Sequence, residues 1–276
     1  MRARILVRFA SREVRSAIRA RWFLLGAASL ALLAGAVAHL GMGDSARWGV
    51  SAIDRTSAGL LNLVLLFVPL LSLPVGAASF AGEREDGTLA YLVAQPVTRA
   101  EVFVGKLLGL VAAMTLSIAI GFGGAAVFIG MRGGISVATV DALAAAAWLL
   151  AVLMVVVGAL LSLVARTRAR ATTAAIATWI ALVFLCDFGV LALAAAQVLG
   201  TQALFVVSVA NPLQAIKTSI ALFISARLEV LGPVGVHAVH VFGRAGLAAI
   251  LLGSVAAWAV SSTVAGFALF RRSALA

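Results

Sequence analysis

The sequence predicts an all-α membrane protein with six membrane-crossing helices, and three observations carry that prediction. Hydrophobic residues make up 63% of the 276 and charged residues only 11%, with a mean hydropathy of +1.15. A soluble domain carries roughly 25% charged residues, so this chain has too few to cover a wetted surface. Apolar runs recur at lengths that meet the roughly 20 residues a helix needs to cross a bilayer. Arginines flank those runs, where they meet lipid headgroups and set orientation. The formal net charge of +11 therefore points to a membrane and not to nucleic acid, whose binders place bases on a wettable surface beside base-reading elements. The single cysteine, Cys186, excludes an internal disulfide.

Residues 2–21 come first. Arg4, Arg8, Arg12, Arg15 and Arg19 fall within one narrow arc at about 100° per residue, and Leu6, Val7, Ala10, Val14, Ala17 and Ile18 gather opposite. This pattern predicts an amphipathic helix in the membrane interface, its arginines turned to lipid phosphates or to a partner. The basic stretch followed by the apolar run 22–40, with "AVA" at 36–38, superficially resembles a secretion signal. Its basic part is too long and its apolar part is a full span, so it is read as retained.

The spans are expected at 22–40, 57–81, 102–130, 142–165, 172–199 and 246–270. With the N-terminus inside, fifteen of the 21 Lys and Arg residues fall in inner segments, "RTRAR" at 166–170 among them. The positive-inside rule then puts both termini in the cytoplasm. Residues 200–245 are too long for a tight connector and too apolar for a solvated loop. Asn211 as a cap and Pro212 at a first helical position predict a helix there. The segment is read as a re-entrant or interfacial helical hairpin on the outer face, broken at Gly232-Pro233. The whole chain, 1–276, is read as one membrane domain, with an interfacial helix at 1–21, a cytoplasmic connector at 82–101 and the hairpin at 200–245.

Motifs for catalysis by the chain itself do not form. "VGKLL" at 104–108 has the Gly-Lys of a phosphate loop, but Leu107 replaces the Ser or Thr and Ala100 stands where a glycine is needed. No zinc-protease, nucleophile-elbow or paired-cysteine pattern occurs. His237 and His240, with His39, Met42 and Met131 assigned to the same side, are candidates for a soft or borderline metal such as copper, and equally read as ordinary interfacial side chains. Asp187 falls near the middle of the fifth expected span, where an ionised carboxylate costs at least about 2.5 kcal/mol. It is an intramembrane functional candidate, with a helix–helix hydrogen bond as the structural alternative. Gly105 and Gly109 are spaced for close helix packing.

The connector "AGEREDGTLAYLVAQPVTRAEVFVGK", 81–106, is the most distinctive stretch. Leu89, Leu92 and Val93 share one face of a short predicted helix that starts after Gly87-Thr88 and stops at Pro96. Glu83, Glu85 and Asp86 are expected at its N-terminal side, where a helix dipole favours acids. Such a helix, held between two spans, suits the transmission of a soluble partner's motion to a bundle. Glu83, Gly87, Thr88, Leu89, Leu92, Pro96, Arg99, Gly105 and Lys106 follow the pattern E-x-x-x-G-T-L-x-x-L-x-x-x-P-x-x-R-x-x-x-x-x-G-K, which resembles the signature of ABC-2 type transporter permeases. The six-span layout agrees over the whole chain.

The resemblance implies that this connector, Glu85 included, is the coupling helix that docks on a separate cytoplasmic ATPase subunit. ATP and magnesium would sit on that partner, and this chain would hold no cofactor. It also implies a homodimer in a bacterial cytoplasmic membrane. A narrower likeness, in "RARWFLLGAASLALLAGAVAHLG", "RTSAGLLNLVLLFVPLLSLPVGAASFAGERE", "FLCDFGVLAL" and the Asn-Pro at 211–212, is to permeases of the copper-processing system that matures nitrous oxide reductase. Those work with a periplasmic accessory protein. Two other functions stay open on the residues alone: export of lipid, peptide or drug, and an intramembrane enzyme or ion-coupled carrier using Asp187.

Overall fold

In a computed structural model, residues 3–19, 21–42, 52–88, 97–132, 137–185, 189, 192, 200–224 and 232–273 are described. Among them the secondary structure is helical throughout: α1 (Ala3–Arg19), α2 (Arg21–Met42), α3 (Ala52–Glu85), α4 (Arg99–Arg132), α5 (Val137–Val164), α6 (Arg168–Ile180), α7 (Thr201–Ala210), α8 (Pro212–Ile224) and α9 (Gly232–Ser273). A π-turn, Ala181–Leu185, continues α6. Helices are what the composition demands, because a helix satisfies its own backbone in lipid.

Among the described residues, Ser57–Glu85, Arg99–Gly124, Ala138–Val164 and Gly235–Arg272 are long and apolar enough to cross a membrane. A fifth crossing is formed if Gln202–Ala210 and Pro212–Phe223, bent by 105°, count as one broken span. The first expected span corresponds to α2, described as an apolar helix over Gly26–Val37. The fifth is described as helix through Ile180 and as π-turn to Leu185. Asp187 and Cys186 lie outside the described residues, as do Leu89, Leu92 and Pro96.

The chain forms two compact units. The first takes Met1–Ile176 with Ser262–Ala276, and its centre is the pairing of α3 with α5. Glycines let the two backbones touch: a methyl group at Gly76 would strike the carbonyl of Val155, and one at Gly158 the carbonyl of Leu73. Leu73, Leu150, Leu153 and Met154 are fully buried around that contact. α2 seats Leu30 against α4, where a Cβ at Gly121 would stand 2.8 Å from Leu30 Cδ2. At the end of the bundle where the 82–101 connector emerges, Phe80, Phe103, Phe267 and Phe270 bring together α3, α4 and the last turns of α9, with ring centroids 5.6–5.8 Å apart. Val102, Ala159 and Leu163 complete that cluster.

The second unit is Ala177–Ser261. Its bend falls at Asn211, which is 5% exposed. The Asn211 side chain caps α8 through Oδ1, which accepts from Leu213 N at 2.9 Å, with Pro212 at the first helical position. Its Nδ2 donates to the carbonyl of Leu182 in the π-turn at 3.2 Å. The bend leaves the last carbonyls of α7 without helical partners, and α9 supplies them. Ser254 Oγ donates to Val209 O at 2.6 Å and Trp258 Nε1 to Ala210 O at 2.9 Å. A helix starts at the Gly232-Pro233 position where the sequence suggests a break, and a further break follows it. α9 begins at Gly232 and breaks at Gly243, whose φ of 70° and ψ of 167° suit only glycine. Among its described residues the 200–245 segment holds three helical pieces, α7, α8 and the start of α9.

Candidate functional site

α3 does not stop at residue 81. It runs on to Glu85 and ends in a glycine cap, with Gly87 at φ 71°, Asp86 N donating to Gly82 O at 2.9 Å and Gly87 N to Arg84 O at 3.2 Å. Glu83 and Glu85 therefore belong to the last turn of a long helix, and the short helix expected after Gly87-Thr88 lies outside the described residues. An acid at a helix C-terminus meets the negative end of the dipole, so each needs a compensating partner, and each has one.

Glu83 Oε1 lies 3.0 Å from Lys106 Nζ on α4 and 3.7 Å from Arg12 Nη2 on α1. The same ammonium lies 2.8 Å from Glu13 Oε1 on α1 and 5.4 Å above the Phe80 ring. Lys106 is only 3% exposed, so two carboxylates and a ring face replace its hydration. Glu85 Oε2 accepts from Arg168 N at 2.9 Å and so caps the N-terminus of α6 from a different helix. Between them, Arg84 Nη1 donates to Ala165 O, just past the end of α5, at 2.9 Å. Glu83 Oε2 and Arg84 Nη2 are buried without a hydrogen-bond partner.

The far side of the connector is fixed in the same way. Thr98 and Glu101 form a capping box at the start of α4, with Glu101 N donating to Thr98 Oγ1 at 3.2 Å and Thr98 N to Glu101 Oε2 at 3.0 Å. Arg99 Nη1 donates to Arg271 O at the end of α9, at 2.9 Å. Six helices thus meet the two feet of the connector: α1 and α4 through Glu83, α5 through Arg84, α6 through Glu85, and α9 through Arg99, with α3 itself supplying the first foot. These bonds tie both feet of the connector to neighbouring helices.

Of the residues the sequence singled out, Glu83 and Lys106 pair with each other, Glu85 bonds the start of α6 and Arg99 the end of α9, while Gly87 and Thr88 close the end of α3. Thr88 Oγ1 donates back to Glu83 O at 3.3 Å. The sequence reading missed Glu13, Arg84, Thr98, Glu101 and Arg168. Thr98 and Glu101 were legible as the Thr-x-x-Glu of a capping box; Glu13 pairs with a residue 93 positions away and left no local signal. His237 and His240 are exposed on the first part of α9. Among the described residues no three His, Cys, Asp or Glu side chains come together as a metal site.

Long apolar helices around a glycine-packed core, with a bonded polar connector at one end, define a multi-pass α-helical membrane protein. The profile of the family described as ABC-2 family transporter protein matches residues 8–275. The chain belongs to that family, whose members are transport proteins. It is similar to the "Probable ABC transporter permease protein NosY" of Stutzerimonas stutzeri, 34% identical over 122 residues. It is also similar to the protein of the same name in Pseudomonas aeruginosa, 33% identical over 120 residues. Each match covers 44% of this chain and 44% of the relative's own length.

Proposed function

We propose that the chain is the membrane subunit of an ABC transporter, in which a separate cytoplasmic ATPase moves the 83–106 connector and the connector moves the bundle. The observation that carries this reading is the pair of anchored feet: Glu83 bonds Lys106 on α4, Arg84 the carbonyl just past α5, Glu85 the start of α6 and Arg99 the end of α9. A displacement delivered through the connector then meets two feet that are bonded to neighbouring helices. It reaches α1, α4, α5, α6 and α9 together, as a switch between two packed arrangements requires. The chain carries no phosphate loop, and one copy is half a translocator, so two copies and two ATPases make the working assembly. It sits in a bacterial cytoplasmic membrane with both termini and the connector inside.

The relatives' name and the narrower resemblance support a further step. The output is mechanical work on a periplasmic accessory protein that supports copper-site assembly of nitrous oxide reductase. Substituting Leu89 and Leu92 by Asp in the chain co-expressed with its ATPase is expected to abolish co-purification and coupled ATP turnover. Unchanged complex and turnover in that variant would remove the docking role. An ion-coupled mechanism would instead be revealed by Asp187→Asn, which on the present reading leaves ATPase coupling intact.

A further inference from the structure

α1 has three sides. Leu6, Phe9, Ala10, Glu13 and Ala17 share one side at about 100° per residue, and that side is seated on α4. A Cβ at Gly105 would stand 2.8 Å from Phe9 Cβ, and one at Gly109 would stand 2.5 Å from Glu13 Cβ. The side opposite holds Arg4, Arg8, Arg15 and Arg19, all exposed, with Arg12 at its edge toward Glu83. Between the two runs a third strip, Val7, Val14 and Ile18, where Val7 is 66% and Ile18 is 40% exposed. The single apolar side expected from the sequence is thus split, half against α4 and half uncovered beside the arginines.

We propose that this outer face binds anionic phospholipid, phosphates on the arginines and acyl chain on the valine–isoleucine strip. Three observations favour a lipid over an acidic protein. The only acid of α1, Glu13, is turned away into the bundle, so the outer face is uniformly cationic. A furrow of about 400 Å³ runs along it, lined by Arg8, Ser11, Arg12, Arg15, Ser16 and Arg19, and offers hydroxyls beside guanidiniums as a phosphoglycerol headgroup requires. Finally, Arg19 is two residues from Arg21, the first residue of α2. The chain itself therefore holds the cationic end at the level where an apolar helix enters the bilayer, and each base there adds attraction to anionic lipid. The inference is independent of the ATPase.

The test purifies the full chain in micelles holding equal phosphatidylglycerol and phosphatidylcholine and counts retained lipids by native mass spectrometry. The natural sequence is expected to retain phosphatidylglycerol at least about tenfold over phosphatidylcholine. Replacing Arg4, Arg8, Arg15 and Arg19 by Gln brings the ratio close to one. Replacing the same four by Lys keeps it, which separates lost charge from lost fold, and a thermal midpoint on each variant checks the bundle. V7D/I18D lowers retention of both lipids. An equal ratio for the natural sequence overturns the proposal, as does a Gln variant that still prefers phosphatidylglycerol. Loss of the preference in excess inorganic phosphate also overturns it, because a bare anion site would then suffice. So does a Gln variant that keeps its lipids and loses a protein partner.

Discussion

Lys106 is enclosed by Glu13, Glu83 and the Phe80 ring, and removing its charge leaves two carboxylates facing each other at the bundle end. Breaking a buried ion pair from one side costs about 3–5 kcal/mol; with the two acids 14% and 16% exposed, the lower end applies. Lys106→Met is expected to lower the stability of the purified chain by about 3 kcal/mol, read as a drop in the thermal midpoint. Adding Glu13→Gln and Glu83→Gln to that variant should restore most of the loss, since all three charges are then gone. Recovery is the informative result, because a simple cavity at Lys106 would not be repaired by changes on α1 and α3. The sequence pointed to Glu83 and Lys106 through their spacing, but as docking residues. Their partner Glu13 is a tertiary fact: no periodicity links residues 93 apart.

Among the elements, the helix contacts rest on glycine. Gly76 and Gly158 let the α3 and α5 backbones meet, so Gly158→Ala is expected to force the pair apart at a cost of about 1–3 kcal/mol. Gly253, with no heavy atom within 4 Å of an added Cβ, is the control, and Gly253→Ala should leave the thermal midpoint unchanged or raised. Thr98→Ala removes one half of the α4 capping box and should cost about 1 kcal/mol, visible as a smaller drop than that of Lys106→Met. Among the described residues element type was legible, because apolar runs of this length form helices in lipid. Ends were less so. α3 passes residue 81 because its polar last turn is stabilised by α1, α4, α5 and α6 together, a compensation invisible along the chain. The Gly243 break was missed beside Gly232-Pro233, a louder local signal, where α9 starts with a proline in its first turn.

For the whole molecule, family membership extends over residues 8–275, and the proposed mechanical coupling concerns one end of the bundle. Composition alone made the membrane class legible, and the connector pattern made the family legible. The bonds at the connector's two feet were not, because they join residues from six helices that lie far apart in the chain. The claim that the connector receives force from an ATPase is tested most directly by placing a photo-crosslinking amino acid at Thr88 in the assembled complex. A second probe at Gly253 serves as the control. Light should join Thr88 to a nucleotide-binding chain, with a yield that changes when ATP is supplied, and should leave Gly253 unjoined to it. Capture of only an outer-face protein at Thr88, or an equal yield from both positions, would contradict the account.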